Sequence, residues 1–482
     1  MTVLGRALTG VVCAALVLSG QLAVSTAASA AEASCVTAGR ALRYVVIFDR
    51  GTDAATAADG VSAACGATTI YYPQIAVGVA TSPDPGFADR FGPDRAFSAQ
   101  AARLAAQRAN ASVMPKTTAA RPELAPTDPA AVPAADRTGE QWDMREINAA
   151  AARDIDPGSP DVVVGVLDSG IDPAHPELIH ALDPALSAGC LTGAPDQDTK
   201  AWAATTSSHG THVAGTIAAA DDGKGITGVA PGVRLASVKV IDDRGYVDPE
   251  AAVCGLMWAA KERMKVTNSS FFVDPWSLSC AHGSDYAVVR EAMARAVEYS
   301  SQAGTVNVAA ATNEAVNLTP SPRSDGPQPS TAKARGCEAL PAGLRDVVAV
   351  SSVGESEVKA GYSSYGLGVI DVTAPGGETG KCVLSTVPGG YASLCGTSMA
   401  APHVAGVIAL MASAHPGYTA AQLRKAVGDQ AEPIACPDDY DLTGDGTQDA
   451  YCAGYASYNG FYGHGMVDAL AAVAPRSPSG RP

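Results

Sequence analysis

No Cys-x-x-Cys pair occurs among the 11 cysteines of the chain, which speaks against a structural zinc site built on paired thiolates. Positive charge is scarce: 33 Lys and Arg face 49 Asp and Glu, for a formal net charge of −16. Nucleic acid and anionic membranes call for basic patches, so neither is expected as a partner. Beyond the N-terminus no run reaches the about 20 sustained apolar residues that a bilayer span needs. No internal repeat is evident. With 17% charged and 47% hydrophobic residues the chain is globular in composition, and 482 residues allow one large core and a smaller second domain.

The first 30 residues combine Arg6, an apolar stretch centred on Leu8–Leu18 and the small residues Ala28-Ser29-Ala30, the layout of a secretory signal peptide cleaved after Ala30. Ser19, Gly20 and Gln21 break the apolar run too early for a membrane helix. Cys13 lies inside this segment and leaves with it. A secreted, extracellular product is therefore expected, with no membrane contact in the mature form and its cysteines oxidised. Cys35 and Cys65 fall early, and eight more follow. Short separations favour Cys382–Cys395 and Cys436–Cys452 pairs; the other partners stay open.

Residues 31–109 read as a small α+β domain. RYVVIFDRG (43–51) is strand-like, an alanine-rich helical stretch follows, and ATTIYYPQIAVGVAT (67–81) holds two alternating runs around Pro73. Residues 110–140 turn to Pro, Ala and Thr, an exposed linker composition. A propeptide on a cleavable linker fits this layout, and so does an ordinary N-terminal binding domain. Residues 141–473 alternate buried strands, VVVGVLD (162–168), RLASVKVI (234–241), VNVAAAT (306–312) and DVVAVSSV (346–353), with helices such as 209–220 and 250–263. This predicts an α/β fold, a parallel sheet sandwiched by helices, with ligands at the carboxyl ends of strands. Residues 474–482 are a short tail.

Three places put a reactive side chain at the end of such an element. VVVGVLDSGID sets Asp168 after a strand, SSHGTHVAGTIAAA sets His209 at a helix start, and CGTSMAAPHVAG sets Ser398 at another, with Pro402 read as a first-turn proline. A Ser hydroxyl needs a general base within hydrogen-bond reach, His accepts that proton near neutral pH, and an Asp holds the imidazole in the right tautomer. His212 and His403 are read as packing or hydrogen-bonding residues.

The order Asp, His, Ser in these contexts resembles the subtilisin-like serine proteases. The resemblance implies a serine endopeptidase that acts on polypeptide through an acyl-enzyme, needs no cofactor for its chemistry and works as a monomer. It extends, more loosely, to the N-terminal domain, which it makes an inhibitory and folding-assisting propeptide removed within 110–140. It also implies that Asn313, in VNVAAATNEAVN, joins the Ser398 N–H as an oxyanion donor, with Thr312 where the family has Gly. Ala310, Ala311 and Thr312 would line one wall of the cleft and NSSFFVDPW (268–276) the other. In that stretch Ser270 keeps the family's Ser, Phe271 follows, and Phe272 and Val273 replace two glycines. Either the primary pocket is narrowed, giving a selective enzyme or a dedicated precursor-processing peptidase, or the loop runs differently here. A cleft blocked by Phe272 would make a silent peptide-binding protein. A structural calcium ion is a further implication: 218–231 has the place of the family's calcium loop, with Asp222 and distant Glu177 as ligands. Asp441, Asp445 and Asp449 in DLTGDGTQD resemble a second short loop, or simply form an acidic surface turn.

Overall fold

The computed structural model describes residues 35–37, 39–108, 135–280, 283–320, 337–378 and 380–474. The expected signal peptide, most of the linker and all but the first residue of the tail lie outside them.

The small domain contains β1 (Leu42–Ile47), α1 (Ala54–Ala63), β2 (Ala67–Tyr72), β3 (Val77–Ser82), α2 (Phe87–Phe91), β4 (Ala96–Phe97) and α3 (Ala99–Arg108). Its strands pair antiparallel in the order β2-β3-β1-β4. Asp53 caps α1 through bonds from the Ala55 and Thr56 N–H groups. One face of the sheet buries Tyr44, Val46 and Ala80 against Val61 and Phe87. The other places Val45, Tyr72 and Val77 in a cluster shared with the larger domain.

The larger domain opens with α4 (Trp142–Glu146) and α5 (Ala149–Arg153) and continues through β5 (Val163–Asp168), β6 (Ala188–Gly189), α6 (Thr199–Trp202), α7 (His209–Ala218), β7 (Arg234–Lys239), α8 (Pro249–Lys261) and β8 (Val266–Ser269). It goes on with α9 (Ser284–Gln302), β9 (Val306–Ala310), β10 (Val347–Val353), β11 (Val372–Pro375), β12 (Val383–Val387), β13 (Gly390–Leu394), α10 (Thr397–Ala414), α11 (Ala420–Asp429) and α12 (Ala469–Val473). Seven strands form one parallel sheet in the order β11-β10-β9-β8-β5-β7-β6. Alternation along the strands divides the core. Val164 and Val166 of β5 face the layer of α7 and α10, while Val163 and Leu167 face α8 and α9. After β5 the chain builds outward on one side through β7, then returns to place β8 on the other. That reversal leaves a crevice at the carboxyl ends of β5 and β8, the place where open α/β sheets take ligands.

Two expectations need correction. Helix α10 is long and apolar enough by composition to cross a membrane, but 89% of that window is buried inside the protein. Its apolarity serves the core between the sheet and α7. Pro402 stands not in the first turn but inside α10. Disulfides join Cys190 to Cys254, Cys280 to Cys337, Cys382 to Cys395 and Cys436 to Cys452, and both pairs favoured by separation are among them. Cys382–Cys395 closes the β12–β13 hairpin immediately before α10.

Candidate active site

Asp168 ends β5, fully buried, with one carboxylate oxygen taking the Ser169 N–H at 2.7 Å. Gly210 brings the start of α7 against the turn that follows: a Cβ there would collide with the Gly170 carbonyl oxygen. Close approach sets His209 beside Asp168, its Nδ1 at 2.8 and 2.9 Å from the two carboxylate oxygens. A nitrogen facing a carboxylate carries the proton, so Nε2 is left as the basic atom. Burial pushes the His209 pKa down, but the charge and hydrogen bond of Asp168 outweigh it, and the net shift is upward. His212, one turn on, spends Nε2 on the carbonyls of Val383 and Ala392 at 3.1 Å. Burial foremost, with His209 next, lowers its pKa to about 3, so it stays neutral and joins α7 to the hairpin. His403 is likewise structural, between the Met399 carbonyl (2.8 Å) and Asp143 (2.9 Å).

Ser398 is the second residue of α10 rather than its cap. Lacking an N–H, Pro402 cannot complete the i to i−4 bond to the Ser398 carbonyl. The Ser270 hydroxyl supplies the missing donor at 2.9 Å, and it is itself positioned by Asn268 Nδ2 at 2.9 Å. The proline thus frees a carbonyl that ties the Ser398 turn to the end of β8. In return the Ser398 hydroxyl rests on the Ser270 carbonyl at 3.4 Å. Among the described residues that is its hydrogen bond, rather than one to His209; contacts of this kind often tighten only with substrate bound.

The Ser398 N–H, in the first turn of α10, has no acceptor among the described residues. Beside it, Asn313 Oδ1 accepts both the Thr397 N–H (2.9 Å) and the Thr397 hydroxyl (2.8 Å). An N–H donor can only be met by the oxygen end of a carboxamide, so Thr397 fixes the flip of Asn313 and leaves Nδ2 a donor without an acceptor among the described residues. Thr397 was not singled out from the sequence; its place at N1 between Gly396 and Ser398 was the available signal. Two N–H groups near a Ser hydroxyl, with a His–Asp pair on the neighbouring strand end, is an arrangement suited to acyl transfer.

The residues expected to line the cleft divide. Ser270 lies at the site, but Phe271 and Val273 turn into the core beneath α8 and α9, and Val273 N–H is taken by the Leu340 carbonyl at 3.2 Å. Extended alternation leaves Phe272 alone half-exposed. The expectation that Val273 fills a pocket is therefore corrected: a valine replacing glycine here finds room in the core. Ala310 and Ala311 are buried where β9 meets β10. Thr312 adopts the left-handed backbone region (φ 79°) in which the family's Gly would be unstrained, and its hydroxyl pairs with buried Ser364 at 2.9 Å.

The carboxylates named for calcium are engaged with neighbouring protein groups. Among the described residues no three acidic, His or Cys side chains gather as a cation-holding group. Buried Glu177 accepts the Tyr391 hydroxyl, while exposed Asp222 takes the Lys224 N–H at 3.0 Å. In the 441–449 turn the Asp441 carboxylate is filled by the N–H groups of Gly444, Asp445 and Gly446. Asp445 takes the Thr447 N–H at 2.9 Å and Asp449 the Leu442 N–H at 2.8 Å. These carboxylate oxygens accept the N–H groups of their own turn.

The model of the subtilase family matches residues 159–465. Subtilisin NAT of Bacillus subtilis subsp. natto is 36% identical over 313 residues, 65% of this chain and 65% of that protein. Subtilisin of Bacillus pumilus is 35% identical over the same length and matched over 90% of its own. The chain thus spans just under two thirds of the length of the first of these relatives. Among solved structures, a lanthipeptide protease aligns over 70% of this chain and 94% of its own, with a TM-score of 0.54 and 26% identity. The epidermin leader peptide processing serine protease from Staphylococcus aureus aligns over 90% of this chain and 98% of its own, with a TM-score of 0.63; at 18% identity it speaks for the fold alone.

Proposed function

Because this chain belongs to the subtilase family, we propose that it is a secreted serine endopeptidase that cleaves polypeptides through an acyl-enzyme on Ser398. The observation that carries the reading is the two-point contact of His209 with Asp168 beside the helix start that holds Ser398. In this reading His209 Nε2 takes the Ser398 proton as Oγ bonds to the scissile carbonyl carbon. The carbonyl oxygen becomes an oxyanion held by the Ser398 N–H and Asn313 Nδ2. The imidazolium, steadied by Asp168, gives its proton to the leaving amine, and water then repeats the sequence to release the acid. The chemistry calls for no metal or cofactor, and a monomer suffices.

The small domain acts as an intramolecular inhibitor, removed by cleavage in the 110–140 linker after export. Its buried contact with α8 and α9 supports that role. Half-exposed Phe272 beside Ser270 supports a restricted primary pocket. The likeness to a lanthipeptide protease at 26% identity favours, as a second reading, a peptidase devoted to one precursor peptide. Incubation with a proteome-derived peptide library, read by mass spectrometry against a Ser398→Ala control, tests both. Many new internal termini after small residues support the general endopeptidase, and a few cuts within one motif support the processing enzyme. Frequent cuts after large apolar residues contradict the restricted pocket.

A further inference from the structure

The clearest feature outside the catalytic groups is an acidic corner at the start of α8, already filled by two arginines of the small domain. Asp248 is the N-cap of α8, yet its side chain makes no capping bond, and Pro249 at N1 has no N–H to offer. Its carboxylate faces the small domain instead. Arg43 Nη2 lies 3.1 Å from Asp248 Oδ2, and Arg43 Nε lies 3.0 Å from Glu250 Oε1. Arg103 Nη2 lies 2.7 Å from Asp248 Oδ1, and its guanidinium covers the Tyr246 ring at 4.4 Å.

The fit is incomplete. The Arg103–Asp248 contact is a charge contact without hydrogen-bond alignment, so Asp248 Oδ1 keeps no hydrogen-bond donor. Glu250 is 1% exposed, and its Oε2 has no partner either. A carboxylate pair buried with unmet acceptors, under a ring that stacks guanidinium, is built for a cation better aligned than the ones now in place.

The corner adjoins the cleft. Ser270 touches Ser398 through both its hydroxyl and its carbonyl, and four residues on Asp274 is locked to Val247: Asp274 N–H donates to the Val247 carbonyl at 2.9 Å, and Val247 N–H donates to Asp274 Oδ2 at 2.6 Å. Four extended residues span at most roughly 14 Å. A peptide lying along 270–273 therefore reaches Asp248 within a few residues of the bond that Ser398 would cut.

We propose that Asp248, Glu250 and Tyr246 form a subsite for a basic side chain, an arginine above all, on the acyl side of the scissile bond, and that Arg43 and Arg103 occupy it until the small domain leaves. The inference rests on the endopeptidase reading and names its substrate class. Arg244, paired with Asp242, also lies over the Tyr246 ring, at 5.2 Å.

The test uses the full chain after its own processing, normalised by fluorophosphonate titration of Ser398. Internally quenched peptides carry Arg, Ala or Glu at each of the second to sixth positions before the cut, and kcat/KM is compared. The expected result is about a tenfold or larger preference for Arg over Ala at one position, shrinking towards one in Asp248→Asn and in Glu250→Gln. Labelled enzyme with no Arg preference at any position, or a preference untouched by both substitutions, overturns the subsite alone. Absence of labelling overturns the endopeptidase reading and the subsite with it. Should Asp248→Asn fail to fold, the wild-type Arg/Ala ratio at low and high salt decides: an ionic preference falls with salt, and a constant ratio contradicts the proposal.

Discussion

Thr397→Val is the sharpest test of how the oxyanion donor is held. The substitution keeps the backbone N–H that meets Asn313 Oδ1 at 2.9 Å and deletes the hydroxyl that meets it at 2.8 Å. One neutral hydrogen bond is worth about 0.5–1.5 kcal/mol net. If it serves to hold Nδ2 in its aim, kcat should fall by roughly 2–12-fold on that range, with KM little changed because the interaction matters only as the oxyanion forms. Asn313→Ala removes the donor itself and should cost about 10²–10³ in kcat. Steady-state kinetics on one chromogenic peptide give both numbers. Equal losses in the two variants, or a Thr397→Val enzyme with unaltered kcat, would refute the claim that Thr397 acts by orienting Asn313.

Other outcomes follow from the same geometry. His209 has its pKa raised by Asp168 against the opposing pull of burial, and catalysis needs its neutral form, so kcat/KM should climb with pH through a midpoint above the ordinary value of about 6.5; a midpoint below that value would show burial winning. Thr312 sits at φ 79°, so in a Ser398→Ala background Thr312→Gly should be more stable than Thr312→Ala by about 1 kcal/mol in urea unfolding, the reverse of the usual order. Ser270→Ala should destabilise by about 1–3 kcal/mol because it strips the hydroxyl donor from the buried Ser398 carbonyl. Adding Pro402→Ala should restore part of that loss, since alanine returns the helical N–H; strict additivity in the double variant would argue against this account of the proline.

Much of this was legible in the chain itself, for identifiable reasons. The runs at 162–168 and 306–312 are buried on both faces, so their continuous apolarity marked β5 and β9 before any partner was known. Asp168, His209 and Ser398 stood out because each stands at a strand end or helix start in a stretch that resembles a motif of the subtilisin-like proteases. The direction of side chains in 270–274 was not legible. Whether Phe271 or Phe272 turns inward depends on α9 and the 338–344 segment packed beneath it, residues far along the chain. The role of Pro402 was hidden for the same reason: the carbonyl it frees is matched by a hydroxyl 128 residues away. Thr397 and Asp248 look like ordinary helix-start residues until their partners, Asn313 and two arginines of another domain, are in place.

The central claim is that Ser398 is a nucleophile activated by His209. Fluorophosphonate labelling of the processed wild-type protein, with the modified residue located by peptide mass spectrometry, tests it most directly. A single adduct on Ser398 that is slowed at least 10²-fold by His209→Ala, and abolished by Ser398→Ala, is the predicted result. No adduct on the wild-type protein, or labelling at Ser398 that is indifferent to His209, would contradict it.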